Sequence, residues 1–321
     1  MLVPFGAGKG TKYCRHPYIR RPNPTCLLTL TTAAALTDAL TEARSQGRSI
    51  GFVPTMGALH RGHAALIEAS VAECATTVAS VFVNPTQFNE ATDLAAYPVT
   101  PEADAALLAA HGCDLLYRPE VAEVYPQGTG ESLAGHLDFN GLTERLEGAH
   151  RPGHFVGVVQ VVSRLLDTVQ PTHLYMGQKD YQQVTIVRRM LDLLNLPILL
   201  RTVPTVREAD GLALSSRNRR LSPDERLAAG KLNLHLAAMV AGLRAGWPAR
   251  ELERLAHEGL EALPLVTPEY VEAVDGLSLQ PYLDGAEVEE LVVAAAVRVG
   301  VVRLIDNRIA YRANPGPTAG V

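Results

Sequence analysis

Short apolar runs alternate with longer amphipathic stretches through the first two-thirds of the chain. The runs, of four to eight mostly apolar residues, predict buried β-strands at Ser49–Pro54, Thr76–Val83, Asp114–Arg118, His173–Met176 and Pro197–Val203. The stretches between them predict helices at 32–46, 62–74, 101–111, 156–167 and 181–194. Strands that alternate with helices of about a dozen residues are typical of βαβ units, so we predict an α/β fold with a parallel, doubly wound sheet.

The pattern changes after Val206. Ser222 is followed by a proline and two acidic residues, which predicts the start of a helix, and the Ala/Leu-rich sequence beyond extends this helix to about Ala245. A second helix at 248–263 and strands at 270–274, 289–297 and 302–305 complete a smaller C-terminal α+β domain. We therefore expect a first domain at 26–204, a second at 205–312 and a flexible tail at 313–321.

Composition and charge narrow the class of protein. The chain has 321 residues, of which 47% are hydrophobic and 20% charged, so it is long enough for two globular domains. Its net charge of −5 argues against a nucleic-acid partner, because such partners are bound mainly through basic side chains. No apolar run reaches the ~18 residues of a membrane-spanning helix. The four cysteines lack CxxC spacing, which indicates reduced thiols of a cytoplasmic protein rather than disulfides or a zinc site.

The first 25 residues differ from the rest of the chain. No acidic residue occurs before Asp38, and residues 9–21 carry five basic side chains. A transit peptide would be rich in serine, but the first serine is Ser45, and a secretory signal would need an apolar segment without the threonines of 26–36. A start codon assigned too early would leave the same pattern. We expect residues 1–25 to be a disordered, dispensable extension.

The first candidate site follows the first predicted strand. Residues 54–63 read PTMGALHRGH, and a helix is predicted to begin there. Backbone N–H groups at a helix start attract anions, and His60 and His63 can donate hydrogen bonds to phosphate oxygens as charge develops on them. Gly57 and Gly62 would let a nucleotide approach the backbone closely. Two histidines could also bind a metal, but no further ligands lie nearby in sequence.

Two more polar loops are candidates. GQKDYQQ (177–183) follows the fourth predicted strand, and because the carboxyl ends of parallel strands share one edge of the sheet, this loop could face the first. Its paired glutamines have little structural purpose at a helix start, whereas Asp180 is equally well explained as a cap on a solvated turn. LSSRN (214–218) offers hydroxyls and a guanidinium to a phosphate, or is an ordinary polar loop.

Six motifs occur in order along the chain: PTMGALHRGH (54–63), VFVNPTQF (81–88), RPGHFVGV (151–158), GQKDYQQ (177–183), VREADGLALSSRN (206–218) and RLIDN (303–307). Any one of them occurs in other enzymes of the HxGH nucleotidylyltransferase superfamily. The ordered set resembles the pantothenate synthetases, also called pantoate–β-alanine ligases, across nearly all of residues 27–308.

The resemblance implies a Rossmann-like domain followed by a smaller C-terminal domain that closes over ATP. It implies a ligase of pantothenate biosynthesis, in which ATP and (R)-pantoate form pantoyl adenylate and pyrophosphate, with Mg²⁺ on the phosphates. β-Alanine then attacks the adenylate, which gives pantothenate and AMP. Family members are generally homodimeric, so a homodimer without nucleic-acid or membrane partners is expected.

The resemblance also implies roles for particular residues. His63 resembles the family's proton donor, His60 a stabiliser of the adenylation transition state, and Gln87 a ligand of both pantoate and β-alanine. Gln183 resembles a pantoate ligand. The residues implied to bind ATP are Met56, Gly57, Ala58, Leu59, His60, Arg61, Gly62, His63, Gly177, Gln178, Lys179, Asp180, Val206, Leu214, Ser215, Ser216 and Arg217. Those implied to take part in catalysis are His60, His63, Lys179, Ser215, Ser216 and Arg217, and none is implied to bind a metal.

Three positions depart from the family pattern. Arg61 stands where an acidic residue is more frequent, Gln178 where glutamate is usual, and Val99 where arginine commonly follows Tyr-Pro. None of them carries the chemistry, so the departures bear on rate and surface charge rather than on the type of reaction.

Two other classes of protein are alternatives. An adenylyltransferase with a different acceptor would typically lack the glutamines of NPTQF and KDYQQ, which are present. A non-catalytic protein on a nucleotide-binding fold should lack some of His60, His63, Lys179 or Arg217, and all four are present.

Overall fold

The computed structural model describes residues 27–88, 94–130 and 136–313. The predicted extension at 1–25 lies outside the described residues, as does the predicted tail beyond Ala313. Six parallel strands form the N-terminal sheet: β1 (Leu28–Leu30), β2 (Ile50–Thr55), β3 (Thr76–Val81), β4 (Leu115–Tyr117), β5 (His173–Gly177) and β6 (Leu199–Val203). Their order in the sheet is β1-β4-β3-β2-β5-β6. The predicted parallel α/β fold is confirmed.

Helices cover both faces of this sheet: α1 (Ala33–Ser45), α2 (Arg61–Glu73), α3 (Pro101–Ala110), α4 (Val121–Val124), α5 (Glu147–His150), α6 (His154–Val169) and α7 (Tyr181–Leu193). Phe52 and Val53 of β2 are both fully buried, although strand side chains alternate in direction. Phe52 packs in a core that α1, α6 and α7 complete, and Val53 in a core that α2 and α3 complete. Burial on both faces explains why the strands are continuous apolar runs in the sequence.

The winding of the sheet reverses at β2. From β2 the chain passes to β3 and β4 on one side, and then crosses to β5 on the other side, so β2 lies between β3 and β5. Where winding reverses, the loops at the carboxyl ends of neighbouring strands diverge and leave a crevice between them. The loops after β2 and β5 are two of the three polar loops that the sequence singled out.

The C-terminal domain contains α8 (Pro223–Ala229), α9 (Leu232–Arg244) and α10 (Ala249–Glu261), followed by the antiparallel strands β7 (Val266–Asp275), β8 (Glu290–Val299) and β9 (Val302–Arg312). Helices α9 and α10 pack on one face of this sheet. On the other face, Tyr270, Val292 and Ala296 join the core of the N-terminal domain. The division predicted at residues 204–205 falls between β6 and α8, and it stays a prediction. Within the described residues, no helix has both the length and the apolar character to cross a membrane.

The prediction of a single long helix after Ser222 is wrong. The segment forms two helices, because a turn at Gly230 and Lys231 separates α8 from α9. Glycine has low helix propensity, and the backbone N–H of Lys231 donates to the carbonyl of Ala228, three residues back, rather than four.

Three smaller differences concern length. Strand β1 and the four-residue helices α4 and α5 were not predicted, because such short elements have no measurable periodicity. Strand β9 extends to Arg312, beyond the predicted end at Ile305. The prediction stopped at Ile305 because Asp306 and Asn307 are polar, yet both are buried within the strand. Helix α6 begins at His154 rather than at Val156.

Candidate active site

Loops from both domains surround a cleft of about 240 Å³ at the carboxyl ends of β2 and β5. The predicted site residues that line it are Met56, His60, Gly62, His63, Gln87, Gly177, Lys179, Asp180, Gln183, Val206, Leu214, Ser215, Ser216 and Arg217. A second cleft of about 510 Å³ adjoins it between the domains and shares Arg151, Lys179, Asp180, Ser215 and Arg217. The fold thus brings four separate stretches of sequence together at one site.

Five predicted ATP-binding residues do not line the 240 Å³ cleft: Gly57, Ala58, Leu59, Arg61 and Gln178. Within the loop between β2 and α2, Gly57, Ala58 and Leu59 are buried away from the cleft. Arg61, at the start of α2, is exposed. The contacts predicted between these residues and ATP stay predictions.

Asp104 of α3, which the sequence analysis missed, holds the loop between β2 and α2 from behind. It is 2% exposed, and it accepts the backbone N–H groups of Ala58 at 3.0 Å and Leu59 at 2.8 Å. Ala58 has φ 50° and Gly57 φ 84°, the left-handed region that favours glycine. A Cβ on Gly57 would lie 2.9 Å from the Asp104 carboxylate, so packing within the loop by itself requires this glycine. In the sequence, Asp104 looked only like an acidic residue in the first turn of a helix.

The two histidines close the first turn of α2. His60 is the N-cap residue, and its Nδ1 accepts the backbone N–H of Gly62 at 3.1 Å. The Nδ1 of His63 accepts the backbone N–H of His60 at 3.2 Å. A Cβ on Gly62 would lie 2.9 Å from the His60 ring, so glycine allows the ring to fold back over the helix end. The helix cap therefore fixes both imidazoles, with their ring centres 4.2 Å apart.

This arrangement favours neutral imidazoles. A nitrogen that accepts a hydrogen bond carries no proton, so each ring has its proton on Nε2. Burial, with a smaller contribution from the charge of Lys179, lowers the pKa of His60 to about 4. Burial also lowers the pKa of His63 to about 3, with a smaller contribution from His60. At neutral pH both rings offer an Nε2–H donor and no charge.

Lys179 lies on a short 3₁₀ turn, Gln178–Asp180, between β5 and α7. Its Nζ is 3.5 Å from Oδ1 of Asp180, whose side chain is about half exposed. Desolvation raises the pKa of Asp180, but the charge and hydrogen bond of Lys179 together with the charge of Arg217 outweigh it, and the net effect is a pKa below the usual value. Asp180 is therefore ionised. Gln178 points away from the cleft, and its amide donates to Oδ1 of Asn307 at 3.2 Å.

The third polar loop turns back on itself and is fixed to the C-terminal sheet. The backbone N–H of Leu214 donates to the carbonyl of Val206 at 3.0 Å. Arg207 donates to both carboxylate oxygens of Asp306 on β9, at 2.6 and 2.9 Å. Within the loop, the hydroxyl of Ser215 accepts the backbone N–H of Arg217 and starts a 3₁₀ turn. The hydroxyl and guanidinium groups predicted to bind phosphate thus lie on an anchored loop.

Gln87 lies on a 3₁₀ turn, Pro85–Gln87, that follows β3, and it is 8% exposed. Its Oε1 accepts from Nδ2 of Asn84 at 3.2 Å, and its Nε2 lies 2.8 Å from Sδ of Met56. Its backbone carbonyl accepts from Nδ1 of the buried His154 at 2.8 Å. The amide of Gln87 is thus held at the cleft between Asn84 and Met56, which also line it.

Helix α6 forms the floor under Gln87. The carbonyl of Gly157 accepts from Nδ2 of Asn84 at 3.1 Å. A Cβ at position 157 would overlap the carbonyl of Thr86, so only glycine allows this turn to lie directly on the helix. Four apolar side chains of the same helix line the cleft beside it: Val158, Val161, Val162 and Leu165.

The paired glutamines have different roles. Gln183 lines the cleft, as predicted for a ligand-facing residue. Gln182 is 4% exposed and points the other way, and its amide donates to the carbonyls of Leu142 at 2.7 Å and Arg145 at 2.8 Å. The expectation that both glutamines serve little structural purpose is therefore wrong for Gln182, which fixes the segment before α5.

No metal centre formed by side chains alone is found in the part of the chain that the structure describes, where no three His, Cys, Asp or Glu residues cluster suitably. His60 and His63 each use Nδ1 for the helix cap, which leaves only their Nε2 atoms. Asp180 is the ionised carboxylate at the cleft, and it suits a cation that is held mainly by phosphate oxygens.

The fold and the cleft define a class of protein: an enzyme with a parallel-sheet nucleotide-binding domain and a histidine pair at the helix start after the second strand. The sequence model of the family described as pantoate-beta-alanine ligase matches residues 28–309. This chain belongs to the pantoate–β-alanine ligase family, as its motifs indicated.

Similarity to individual proteins extends over most of the chain. A pantothenate synthetase of Porphyromonas gingivalis is 48% identical over 276 residues, which cover 86% of this chain and 96% of that protein. A crystal structure of pantothenate synthetase from Thermus thermophilus has a TM-score of 0.82 and 44% identity, and covers 89% of this chain and 100% of that one. The pantoate-beta-alanine ligase of Francisella tularensis, complexed with beta-gamma ATP and beta-alanine, has a TM-score of 0.74 and 30% identity, with 89% and 98% covered.

Proposed function

We propose that this protein condenses (R)-pantoate with β-alanine in two steps at the described cleft, with pantoyl adenylate as the intermediate. Family membership supports the overall reaction. One observation carries the assignment to this cleft: two neutral histidine donors and the cations Lys179 and Arg217 line the same space as the neutral amides Gln87 and Gln183. This combination suits a phosphoryl-type transfer to a carboxylate.

In the first step, a carboxylate oxygen of pantoate attacks the α-phosphorus of ATP. The bond from that phosphorus to the bridging oxygen of the β-phosphate breaks, and pyrophosphate leaves. His60 and His63 direct their Nε2–H groups at the oxygens on which charge develops, because their Nδ1 atoms are held by the helix cap. His63 thus acts as a hydrogen-bond donor in its neutral form. The N-terminus of α2 adds the positive end of its helix dipole on the same side, although the cap already uses the backbone N–H groups of His60 and Gly62.

Pantoate fits the part of the cleft between α6 and the Gln87 turn. Its two methyl groups would pack on the valines of α6, and its carboxylate and hydroxyls would bond to the amides of Gln87 and Gln183. An arginine fork would hold the carboxylate firmly and lower its reactivity, whereas neutral amides orient it at a smaller cost to nucleophilic attack. β-Alanine would bind next to Gln87 in the second step.

Two cations of the cleft would serve the polyphosphate. Lys179 and Arg217, with the hydroxyl of Ser215, lie where the 240 Å³ cleft meets the second one, which leads away between the domains. The hydroxyl of Ser216 lines the 240 Å³ cleft beside them. The ionised carboxylate of Asp180 would contribute an oxygen to Mg²⁺, which would neutralise part of the phosphate charge when ATP is bound.

In the second step, the amine of β-alanine attacks the acyl carbon of pantoyl adenylate. The new C–N bond forms as the C–O bond to AMP breaks, and the amine loses its proton. The acidic AMP phosphate is a good leaving group, so this step needs orientation more than acid catalysis.

Exchange of label between pyrophosphate and ATP tests the proposal. Exchange should require (R)-pantoate and Mg²⁺, and it should not require β-alanine, because adenylation precedes amide formation. Exchange that depends on β-alanine would contradict the order of steps. Equal exchange with unrelated carboxylic acids would contradict the substrate.

We further propose a homodimer in the cytoplasm. The reaction consumes ATP, and Cys74 and Cys113 are buried thiols, both typical of cytoplasmic enzymes. Light scattering after size exclusion should give twice the 34.5 kDa mass of the protomer. A mass of one protomer at micromolar concentration would contradict the dimer.

A further inference from the structure

The side chain of Asn307, on β9 of the C-terminal sheet, binds the turn that carries Lys179. Its Nδ2 donates to the backbone carbonyl of Gln178 at 3.0 Å and to that of Lys179 at 2.8 Å. Its Oδ1 accepts from the amide of Gln178 at 3.2 Å. The side chain amide of Asn307 therefore uses both its donor and its acceptor on one 3₁₀ turn that lies 128 residues away in the sequence.

The backbone of Asn307 is itself fixed. Its N–H donates to Oδ1 of Asp306 at 2.7 Å, and its carbonyl accepts from Arg207 at 3.3 Å. Asn307 is 3% exposed, and Asp306 is held by the two bonds from Arg207. The amide is thus presented from a rigid strand that has little freedom to follow a moving turn.

We propose that Asn307 is a positioning residue for Lys179. Asn307 fixes the position and orientation of the Lys179 backbone at the cleft, without touching substrate itself. This inference rests on the proposed function, because it assumes that the lysine contacts ATP. None of the residues of the RLIDN motif (303–307) lines the 240 Å³ cleft, and the motif acquires a specific role through its last residue.

An amide is well suited to this role. Two carbonyl oxygens that face the same side chain need two donors, and the NH₂ group of asparagine supplies them from one atom. Alanine would leave both carbonyls without these bonds, and the turn could then shift. A displacement of ~1 Å at a reacting centre costs on the order of 10²-fold in rate.

A purely structural role is the competing explanation. The hydrogen bonds of Asn307 join the C-terminal sheet to the N-terminal domain, and their loss could weaken that contact alone. Tyr270→Phe provides a matched control, because the buried hydroxyl of Tyr270 on β7 donates to Glu147 at 2.9 Å and joins the same two domains through a bond that does not involve the Lys179 turn. A structural role predicts that Asn307→Ala and Tyr270→Phe behave alike.

A double-mutant cycle distinguishes the two explanations. Asn307→Ala, Lys179→Ala and the double variant are compared for the ATP Kd, by calorimetry, and for single-turnover adenylation with pantoate. We expect Asn307→Ala to slow adenylation roughly 10- to 100-fold when Lys179 is present, and by less than about threefold when it is alanine. The effect on the ATP Kd should vanish in the same way, and Tyr270→Phe should leave adenylation within about twofold while lowering Tm.

Two results would overturn the inference: an equal loss in both backgrounds, or a loss below threefold with Lys179 present. If Asn307→Ala does not fold, Asn307→Ser, which keeps one donor, is carried through the same cycle with the same criteria. The ATP Kd separates this inference from the proposed function. Coupling between residues 307 and 179 in ATP binding, without adenylation of pantoate, would support the positioning role and reject the proposed substrate.

Discussion

Gly157 should be intolerant of alanine although it lies within a helix. In most helices this substitution stabilises, because alanine has a higher propensity by about 1 kcal/mol. Here the helix surface at position 157 supports the turn of Gln87, and the new methyl group would point into the backbone of that turn. We therefore expect Gly157→Ala to slow adenylation while leaving the helix intact.

The size of the effect follows from the geometry. A Cβ at position 157 would lie 2.5 Å from the carbonyl carbon of Thr86 and closer still to its oxygen, and ordinary contact begins at 3.4 Å, so the turn must withdraw by at least about 0.9 Å. Overpacking of this kind costs about 1–3 kcal/mol, which equals or exceeds the gain in helix propensity. Displacement of a substrate ligand by most of an ångström should lower the adenylation rate roughly 10- to 100-fold, with a higher KM for pantoate.

Pantoate-dependent pyrophosphate exchange, measured over a range of pantoate concentrations, tests this prediction. Gly230→Ala is the matched control, because a Cβ there would meet its neighbours no closer than 3.6 Å and the backbone is right-handed. The control should retain full activity and equal or higher Tm. If Gly157→Ala also retains its rate within threefold and its KM for pantoate, the turn does not depend on this contact.

Three further predictions concern charge and donors in the cleft. Lys179→Arg should lower single-turnover adenylation about 10²-fold at saturating ATP, because a wide planar guanidinium cannot take the place of a compact ammonium; a rate within threefold of wild type would refute this. His60→Ala and His63→Ala should each lower the rate about 10²-fold with little change in pantoate affinity, and near-normal adenylation would reassign either ring to a structural role. Burial lowers the pKa of His154 and of His60 to about 4, and that of His63 to about 3. Below pH ~6.5 the unfolded state therefore binds more protons than the folded state. The contribution of these histidines to the free energy of unfolding should therefore be fully present above pH ~6.5 and fall toward pH 4, by roughly 3 kcal/mol for His154. Equal urea midpoints at pH 7 and pH 5 would contradict these shifts.

The sequence predicted the central strands of the sheet and the loops that follow them. Strands β2, β3 and β5 are buried on both faces, so their apolar runs are continuous and easily recognised. The histidine pair, Lys179 and Arg217 were recognisable because each stands in a polar loop at the end of such a run.

The supports of the site were not predictable in the same way. Asp104 and Asn307 act through backbone groups that are distant in the sequence, and neither position carries a local pattern that specifies its partner. Gln182 and Gln183 illustrate the same limit. Neighbours on a helix point about 100° apart, so one faces the cleft and the other the 142–147 segment, and only packing decides which.

The cap of α2 has a consequence for how this enzyme can change over time. Serine, threonine, aspartate and asparagine are the usual residues at a helix start, and each could accept a backbone N–H of the first turn, as His60 now accepts that of Gly62. Such a replacement would keep the fold and silently remove the outward Nε2–H donor. Stability alone therefore cannot preserve the histidine, and a descendant that lost its substrate could retain this fold intact while its capping residues drifted to ordinary ones.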